Sequence, residues 1–308
     1  MKKINSCKFL VSFSIVLILA SASVAQRKRP AKQTVKPPPI VFAVINDGQT
    51  LEPIGTIDKG TLEATATGDG DPKALTVFAK NYYQPKTVYK LIFGAANAGT
   101  ATVKSFDTKA ECSKNMAQAT TQSAKAKLKG LIMGLATNAP VDKTASGTRR
   151  LPTAGERAEI ETLVRAEFNK QNVAASQLKN LRYHNLTALD IDSDKRAEMV
   201  GSFWVETSPT SRALLFFIAD KNADGKYSFG YSEFKAVKQD DVMSGDIKDI
   251  DTGTYNELLL DALEYNGDTS AEIFTIVQSF EGSGFNVYSR NDGKWTRVFE
   301  GSNYHCAF

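Results

Sequence analysis

The chain has 308 residues, of which 38 are Lys or Arg, 34 are Asp or Glu, two are His and three are Cys, and 42% are hydrophobic. This composition is typical of a globular protein and excludes collagen-like, wholly disordered and multi-span membrane chains. Two histidines are too few for a His-rich metal centre, and the length is sufficient for about two domains.

Residues 1–25 have the features of a secretory signal peptide. Three lysines precede an apolar run of 12 residues at 9–20, and Ser23-Val24-Ala25 offers small residues for cleavage before Gln26. The run is shorter than the ~20 residues of a membrane-spanning helix, so cleavage is favoured over a retained anchor. We therefore expect an extracytoplasmic protein, periplasmic or secreted, with no transmembrane segment after cleavage.

The cysteines predict a disulfide. Cys7 would leave with the signal peptide, so that Cys112 and Cys306 remain. Two thiols in an oxidising compartment favour a bridge that joins the N-terminal half to the C-terminus. Two separately buried thiols are the alternative, because the sequence does not give the distance between their Cα atoms.

Charge divides the mature sequence into two halves. Residues 26–150 contain 19 basic and 9 acidic residues, whereas residues 151–308 contain 16 basic and 25 acidic residues. The acidic half favours divalent cations, with a solvated surface as the alternative. We expect the basic half to dock on the acidic half rather than on an anionic partner, because its lysines are scattered.

The N-terminal half begins with a basic, proline-rich linker at 26–39, which has five basic residues and four prolines. An α+β domain is predicted at 40–138. Its predicted elements are a strand over Ile40–Ile45, a helix over 73–83, strands over Val88–Phe93 and 100–106 joined by a hairpin loop at 94–99, and an edge strand over 123–130 guarded by alternating lysines.

The C-terminal half is predicted to be an acidic, β-rich domain at 153–308 that follows a second linker at 139–152. Thr153 and Glu156 fit a capping box, and apolar residues at helical spacing follow it, so a helix is expected to cap this domain. The overall class is α+β and rich in antiparallel strands. Strands are predicted over 199–206, 213–219, 227–234, 256–263, 272–279, 284–290 and 294–299, with Asn291-Asp292-Gly293 as a tight turn between the last two.

Two acidic segments of this half repeat each other at an offset of 74 residues, ALDIDSDKRAEMV at 188–200 and ALEYNGDTSAEIF at 262–274. Calcium takes six to eight oxygen ligands, and a tightly turning loop directs positions 1, 3 and 5 inward with a backbone carbonyl at position 7. We name the candidate loops the 190 loop (190–198), the 264 loop (264–272) and the 220 loop (220–228). The predicted ligands are Asp190, Asp192, Asp194, the carbonyl of Arg196 and Glu198; Glu264, Asn266, Asp268, the carbonyl of Ser270 and Glu272; and Asp220, Asn222, Asp224 and the carbonyl of Lys226.

These loops do not close as EF-hands do, because position 12 is never Glu and strands are predicted to follow. A carboxylate at position 9 with a strand after it resembles the calcium loops of FG-GAP/VCBS-type repeats, which occur in integrin-like β-propellers. The resemblance covers about residues 186–300 and implies Ca²⁺ as the ion, although Lys195 and Thr269 stand where that family has glycine. Two or three units are too few for a closed propeller. Ordinary surface turns are the alternative, and Mg²⁺ is disfavoured because it retains its water.

The sequence contains no nucleophile elbow, Walker loop, zinc-type spacing or dinucleotide fingerprint. We therefore expect a non-catalytic protein with a calcium-stabilised C-terminal domain that binds a partner protein or a cell-surface component. Nucleic acid is not an expected partner, because no aromatic residue interleaves with the lysines at 123–130. The alternative is an extracytoplasmic hydrolase with structural calcium, with His184 or carboxylates that are distant in sequence as its catalytic groups.

Overall fold

The computed structural model describes residues 36–65, 70–107, 109–141 and 145–306. The predicted signal peptide and residues 26–35 of the predicted linker lie outside the described residues. Residues Pro37–Phe308 form one compact unit. Among the described residues, no helix is both long and apolar enough to cross a membrane.

Antiparallel strands dominate the described chain, which confirms the predicted β-rich α+β class. The N-terminal elements are β1 (Ile40–Ile45), β2 (Thr50–Asp58), β3 (Thr61–Ala64), α1 (Pro72–Tyr82), β4 (Val88–Phe93), β5 (Ala96–Ser105), β6 (Ala117–Ser123), β7 (Gly134–Thr137) and β8 (Arg149–Arg150). The C-terminal elements are α2 (Ala154–Lys170), β9 (Arg182–Leu189), β10 (Glu198–Ser208), β11 (Ser211–Lys221), β12 (Tyr227–Lys238), α3 (Asp249–Thr252), β13 (Glu257–Leu263), β14 (Glu272–Gln278), β15 (Gly282–Asn291) and β16 (Lys294–Tyr304).

Six N-terminal strands close into an antiparallel barrel. Their order is β1-β7-β4-β5-β6-β2, and β2 pairs back with β1, while β3 extends the sheet beyond β2. Successive side chains of a strand point to opposite faces, and in β1 both faces are buried: Phe42 packs in the barrel core together with Phe78 of α1. Val41 and Ala43 pack on its outer face. This explains why the sequence of β1 is apolar without interruption.

The C-terminal half contains two antiparallel meanders. The first meander is β9-β10-β11-β12, with β8 added beside β9, and the second is β13-β14-β15-β16. The 190 loop joins the first two strands of the first meander, and the 264 loop joins the first two strands of the second. The repeat seen in the sequence therefore has the same place in both meanders.

Four layers pack in the order barrel, second meander, first meander and α2. Leu258 of the second meander packs on the outer face of the barrel, and its neighbour Leu259 packs on the first meander. On the opposite face of the first meander, Phe217 packs against Val164 of α2. The predicted capping box at Thr153 is present, with the Glu156 backbone N–H donating to Thr153 Oγ1 at 3.3 Å.

The barrel and the second meander share one apolar cluster, so the segments predicted as two domains pack within one unit. Arg149, in the segment predicted as a linker, reaches this junction: its Nη1 lies 2.6 Å from Asp261 Oδ2, and the two side chains are 6% and 0% exposed. Asp261 also accepts the backbone N–H groups of Gly94 and Ala95 at 3.1 and 2.9 Å. Between described residues, no lysine of 36–141 forms an ion pair, so apolar contacts and Arg149 hold this junction rather than the scattered lysines.

One local prediction is wrong, and a second differs from the structure in its bounds. The segment 123–130 is not an edge strand, because β6 ends at Ser123 and its Oγ accepts the backbone N–H groups of Lys125 and Ala126 at 3.1 and 2.8 Å, which turns the chain. The predicted hairpin between β4 and β5 is present, but its loop is shorter than the predicted 94–99, because β5 already begins at Ala96. Its small residues fit within a strand that pairs closely with its neighbour.

The predicted disulfide is present. Cys112 and Cys306 are bonded, with their Cα atoms 5.0 Å apart. The adjacent His305 places Nε2 2.9 Å from Oε1 of Glu52, whose side chain is fully buried. Asn303 Nδ2 donates to the carbonyl of Pro53 at 2.8 Å. The end of β16 is therefore fixed to the barrel by a covalent bond and by buried hydrogen bonds.

Candidate metal centre

The 190 loop brings three carboxylates together. Asp190, Asp192 and Asp194 each offer an oxygen, and these oxygens lie within 4.8 Å of one another. Two oxygens that each lie ~2.4 Å from a calcium ion are at most ~4.8 Å apart, so the spacing of the three carboxylates meets the distance that a shared ion requires. Among the described residues, no other group of three or more His, Cys, Asp or Glu side chains meets this criterion. Positions 1, 3 and 5 of the predicted loop are therefore neighbours in space.

The backbone of the 190 loop is turned inward by left-handed residues. Ser193 and Lys195, at positions 4 and 6, have φ angles of 60° and 67°. The Asp194 backbone N–H donates to Asp192 Oδ1 at 3.2 Å, and the Arg196 backbone N–H donates to Asp194 Oδ1 at 2.7 Å. Positive φ at a residue other than glycine costs about 1–3 kcal/mol and persists where surrounding contacts fix it.

The 264 loop repeats this backbone. Gly267 and Thr269, again at positions 4 and 6, have φ angles of 91° and 73°. The backbone N–H groups of Asp268 and Ser270 donate to Asn266 Oδ1 and Asp268 Oδ1, both at 2.9 Å. The glycine expected at position 6 from the family resemblance is absent from both loops, yet both adopt the left-handed conformation that glycine favours.

Asp190 is the most buried of the three clustered carboxylates. The residue is 5% exposed, and its Oδ1 is buried with no hydrogen-bond partner among the described residues. A buried charged oxygen without a partner is strongly unfavourable in a protein interior. A cation held by Asp190, Asp192 and Asp194 would compensate this buried carboxylate, so the donor set fits a divalent ion.

Arg290 of β15 neutralises the inner side of the 190 loop. Its Nη2 contacts Asp192 Oδ2, and its Nη1 lies 3.2 Å from both Glu198 Oε1 and Asp220 Oδ1. Glu198 Oε2 accepts the backbone N–H of Ile191 at 3.3 Å. The predicted ligand at position 9 is therefore engaged by Arg290 and lies outside the three-carboxylate group.

Burial controls the ionisation of Glu198, whose side chain is 3% exposed. Burial raises its pKa to about 8, and the positive charge of Arg290 opposes that rise. On the solvent side, Arg196 Nε donates to Asp194 Oδ2 at 2.7 Å. Counting Asp190, Asp192, Asp194, Glu198 and Asp220 against Arg196 and Arg290, five carboxyl groups face two guanidinium groups. The cluster is thus formally negative by three charges when it is fully ionised.

The 264 loop holds a buried carboxylate of its own. Glu272 is 1% exposed, and its Oε1 accepts Asn266 Nδ2 at 2.6 Å and Ser289 Oγ at 3.3 Å, while its Oε2 is buried without a hydrogen-bond partner. Burial and the nearby charge of Asp268 raise the pKa of Glu272 to about 8. Glu264 Oε1 accepts the backbone N–H of Gly267 at 2.6 Å.

The predicted ligands of the 264 loop are arranged around an amide rather than around a space for an ion. Asn266 Nδ2 donates to Glu272 Oε1 and also to Asp268 Oδ2, at 2.6 and 2.9 Å. The carboxylates of this loop do not form a group within 4.8 Å. Within the described part of the chain, none of its acidic side chains has a Lys, Arg or His partner within 4.0 Å. The loop therefore has the backbone of the 190 loop and no internal counter-ion.

The 220 loop is a tight hairpin turn whose predicted ligands are not brought together. The carbonyl of Lys226 accepts the backbone N–H of Asn222 at 2.7 Å, and Asp224 Oδ1 accepts the backbone N–H of Lys226 at 3.0 Å. Asp220 instead faces Arg290 and accepts Trp295 Nε1 at 3.0 Å. Gly230 permits this packing, because a Cβ there would lie 2.3 Å from Asp220 Oδ2.

Sequence reasoning missed Arg290 and Trp295. Arg290 is 98 positions from Asp192 and Trp295 is 75 positions from Asp220, so no local spacing in the sequence predicts either contact. Both follow from the register of β15 and β16, in which Arg290 lies opposite Trp295. The one signal in the sequence is that Arg290 and Trp295, which can both donate hydrogen bonds, lie on either side of the predicted tight turn at 291–293.

His184, the residue considered for the hydrolase alternative, lies on β9. Its Nε2 is 3.0 Å from the carbonyl of Ile250, and its ring stacks on Trp204 with an interplanar angle of 14°. Burial lowers its pKa, against the opposing effects of the Ile250 carbonyl and of Asp251. His184 therefore packs between Trp204 of β10 and Ile250 of α3.

Comparison of the chain with models of known families, with curated proteins and with solved structures finds no match. The functional interpretation therefore depends on the geometry of the acidic loops.

Proposed function

We propose that the protein is an exported, non-catalytic binding protein whose 190 loop holds a calcium ion that stabilises the two meanders. The observation that carries the proposal is the buried and unpartnered Oδ1 of Asp190, next to the carboxylates of Asp192 and Asp194. Carboxylate oxygens in a cluster whose negative charge is only partly offset by arginines are the ligands that hard divalent cations prefer. The resemblance to FG-GAP/VCBS-type loops supports calcium over other ions.

The ion would act on the packing between the meanders. The 190 loop lies at the start of β10, and the backbone N–H of Ala271 donates to the carbonyl of Ile191 at 3.0 Å, so the two repeated loops are in direct contact. Ile191 and Ala271 also belong to the apolar cluster between the meanders. Fixing the 190 loop would therefore fix this junction.

Export is supported by the signal-like residues 1–25 and by the Cys112–Cys306 disulfide, since disulfides persist in oxidising compartments. A role in binding a partner protein or a cell-surface component follows from the absence of catalytic motifs in the sequence. In the 264 loop, a second ion would require Asn266 to turn its amide oxygen toward Glu272.

The test is calcium-dependent unfolding of the purified mature protein. At a calcium concentration 100 times the dissociation constant, binding adds about 2.7 kcal/mol of stability. For the unit Pro37–Phe308, with ~2.1 cal/mol/K of unfolding entropy per residue, this raises the melting temperature by about 5 °C. Titration calorimetry of the same samples gives the stoichiometry and the dissociation constant.

The double variant Asp192→Asn with Asp194→Asn is expected to lose the calcium-dependent rise in melting temperature that the 190 loop causes. If part of the rise remains and Asp268→Asn removes it, that part comes from the 264 loop. Asp224→Asn is the matched control, because Asp224 holds the same loop position in the 220 loop but has no clustered carboxylates. A wild-type protein whose melting temperature and calorimetric heat are the same in calcium and in chelator would refute the proposal.

A further inference from the structure

The two repeated loops differ in whether an arginine lies beside their carboxylates. Glu198 and Glu272 are equivalent in the repeat, at position 9, and both are buried. Arg290 reaches Glu198, whereas Glu272 is contacted by the neutral side chains of Asn266 and Ser289. Ser289 and Arg290, which are neighbours in β15, thus give the 264 loop a neutral partner and the 190 loop a cationic one.

The position of Arg290 is held from several sides. Its side chain is 19% exposed, and its guanidinium carbon lies 5.7 Å from the ring centroid of Trp295. The same group contacts carboxylates of the 190 loop, at Asp192 and Glu198, and of the 220 loop, at Asp220. Arg290 therefore occupies the protein side of the cluster, opposite the solvent-exposed Arg196, whose side chain is 52% exposed.

We propose that Arg290 is a built-in competitor of the divalent cation at the 190 loop and that it sets this site to low affinity. This inference rests on the proposed function, because it concerns the same carboxylates. In the cation-free protein, Arg290 takes one oxygen of Asp192 and one of Glu198 and links the 190 loop to the 220 loop. When the ion binds, the Asp192 carboxylate ligates it instead of pairing with Arg290, and Arg290 retains Asp220 as its partner.

The competition has an electrostatic basis. A guanidinium group in contact with a ligand carboxylate both neutralises that ligand and repels a divalent ion in a poorly screened setting. Calcium loops in extracellular proteins reach dissociation constants of roughly 10⁻⁴–10⁻³ M when few charges are available to the ion. The 190 loop belongs to that class while Arg290 is present, and a loop without this arginine would bind on the order of tenfold or more tightly.

The experiment measures calcium dissociation constants by titration calorimetry for the wild type and for Arg290→Met and Arg290→Gln. Arg290→Gln keeps hydrogen-bond donors and removes the charge. Arg290→Lys keeps the charge and is the first control. Arg297→Met is the second control, because Arg297 is a half-buried arginine of β16 that binds Glu233 and Tyr231 away from the 190 loop. Melting curves in chelator and in saturating calcium are recorded for each protein.

Both uncharged variants are expected to bind calcium at least tenfold more tightly than the wild type, with Arg290→Lys and Arg297→Met within about threefold of it. The melting temperature of the two uncharged variants is also expected to fall further below that of the wild type in chelator than in calcium, since Arg290 stabilises the calcium-bound protein less. If an uncharged variant is unfolded in chelator, calcium is expected to refold it at a concentration below that at which the wild type is half saturated. An equal or weaker affinity in both variants, or no refolding at saturating calcium, overturns the inference.

The outcomes separate this inference from the proposed function. If the wild type binds calcium and the variants bind it equally well, only the role of Arg290 fails. If the wild type does not bind but the uncharged variants do, the calcium function fails and the competition stands. If no protein binds calcium, both fail.

Discussion

The buried pair of Arg149 and Asp261 gives the sharpest prediction about the fold. Replacing Arg149 with Met removes the cation from a carboxylate whose side chain is fully buried, and it also removes a guanidinium placed 4.4 Å from the ring centroid of Phe93. The Nη1 of Arg149 also donates to the carbonyls of Met133 and Leu260, at 2.9 and 2.6 Å, so one side chain joins the barrel to the second meander.

The magnitude follows from what Asp261 retains. Loss of one partner from a buried ion pair destabilises by about 3–5 kcal/mol. Asp261 keeps the backbone N–H groups of Gly94, Ala95 and Ala262, which partly satisfy its charge, so the lower end applies. With the unfolding entropy used above, about 3 kcal/mol corresponds to a fall of about 5 °C in melting temperature.

The assay compares chemical and thermal unfolding of Arg149→Met with that of Arg150→Met. Arg150 is the adjacent arginine; its side chain is 41% exposed and its two bonds to Glu156 are open to solvent, so a smaller loss is expected there than for the buried Arg149. Unfolding is expected to remain a single transition, because the barrel and the second meander share one core. Equal losses in the two variants, or separate transitions for the two halves, would show that Arg149 does not join them.

Two further predictions concern the disulfide and pH. Reduction of Cys112–Cys306, or Cys112→Ser with Cys306→Ser, is expected to lower the unfolding free energy by about 5 kcal/mol in the chain-entropy model, since the bond closes a loop of 194 residues. Melting curves with and without reductant check this, and a Cys112→Ser single variant, which has no bond to reduce, controls for other effects of the reductant. The pKa of Glu272, faced by Asp268 and Glu264, is raised to about 8 in the cation-free protein. The folded state therefore holds more protons than the unfolded state between about pH 4.5 and pH 8, so stability from this group falls as pH rises through that window. Melting curves of the wild type and of Glu272→Gln in chelator at pH 5.5 and pH 8 check this, because the variant lacks the proton-binding group, and an equal loss of stability in both proteins would contradict the prediction.

Much of the fold was predictable where local chemistry decides it. The capping box at Thr153 and the tight turn at Asp292-Gly293 are both present, since each depends on residues within a few positions of one another. The disulfide between Cys112 and Cys306 was predictable for a different reason, because only two cysteines lie beyond the predicted signal peptide.

The relation between the two halves was not predictable, because it depends on contacts between distant residues. The segment 139–152 contains the signals of a linker, yet its two arginines form β8, and Arg149 finds Asp261 at a separation of 112 residues. The lysines at 123–130 suggested a charged edge, and the decisive contact was instead the Oγ of Ser123 with the backbone beyond it. The local sequence pattern predicts which residues of such segments form turns, but it does not predict the distant residues that they contact.

The three acidic loops separate what spacing encodes from what it does not. Asp or Asn at alternate positions suffices to turn the backbone, since such a side chain accepts the N–H group two residues further on in each of the three loops. Whether a turned loop can hold an ion depends on burial and on neighbouring charge, which other strands supply. In the 190 loop, strand pairing buries Asp190 and leaves one oxygen unpartnered. In the 220 loop, Arg290 and Trp295 engage the first aspartate, and the remaining acidic residue is exposed. The same motif therefore yields a candidate cation site in one place and an ordinary hairpin in another.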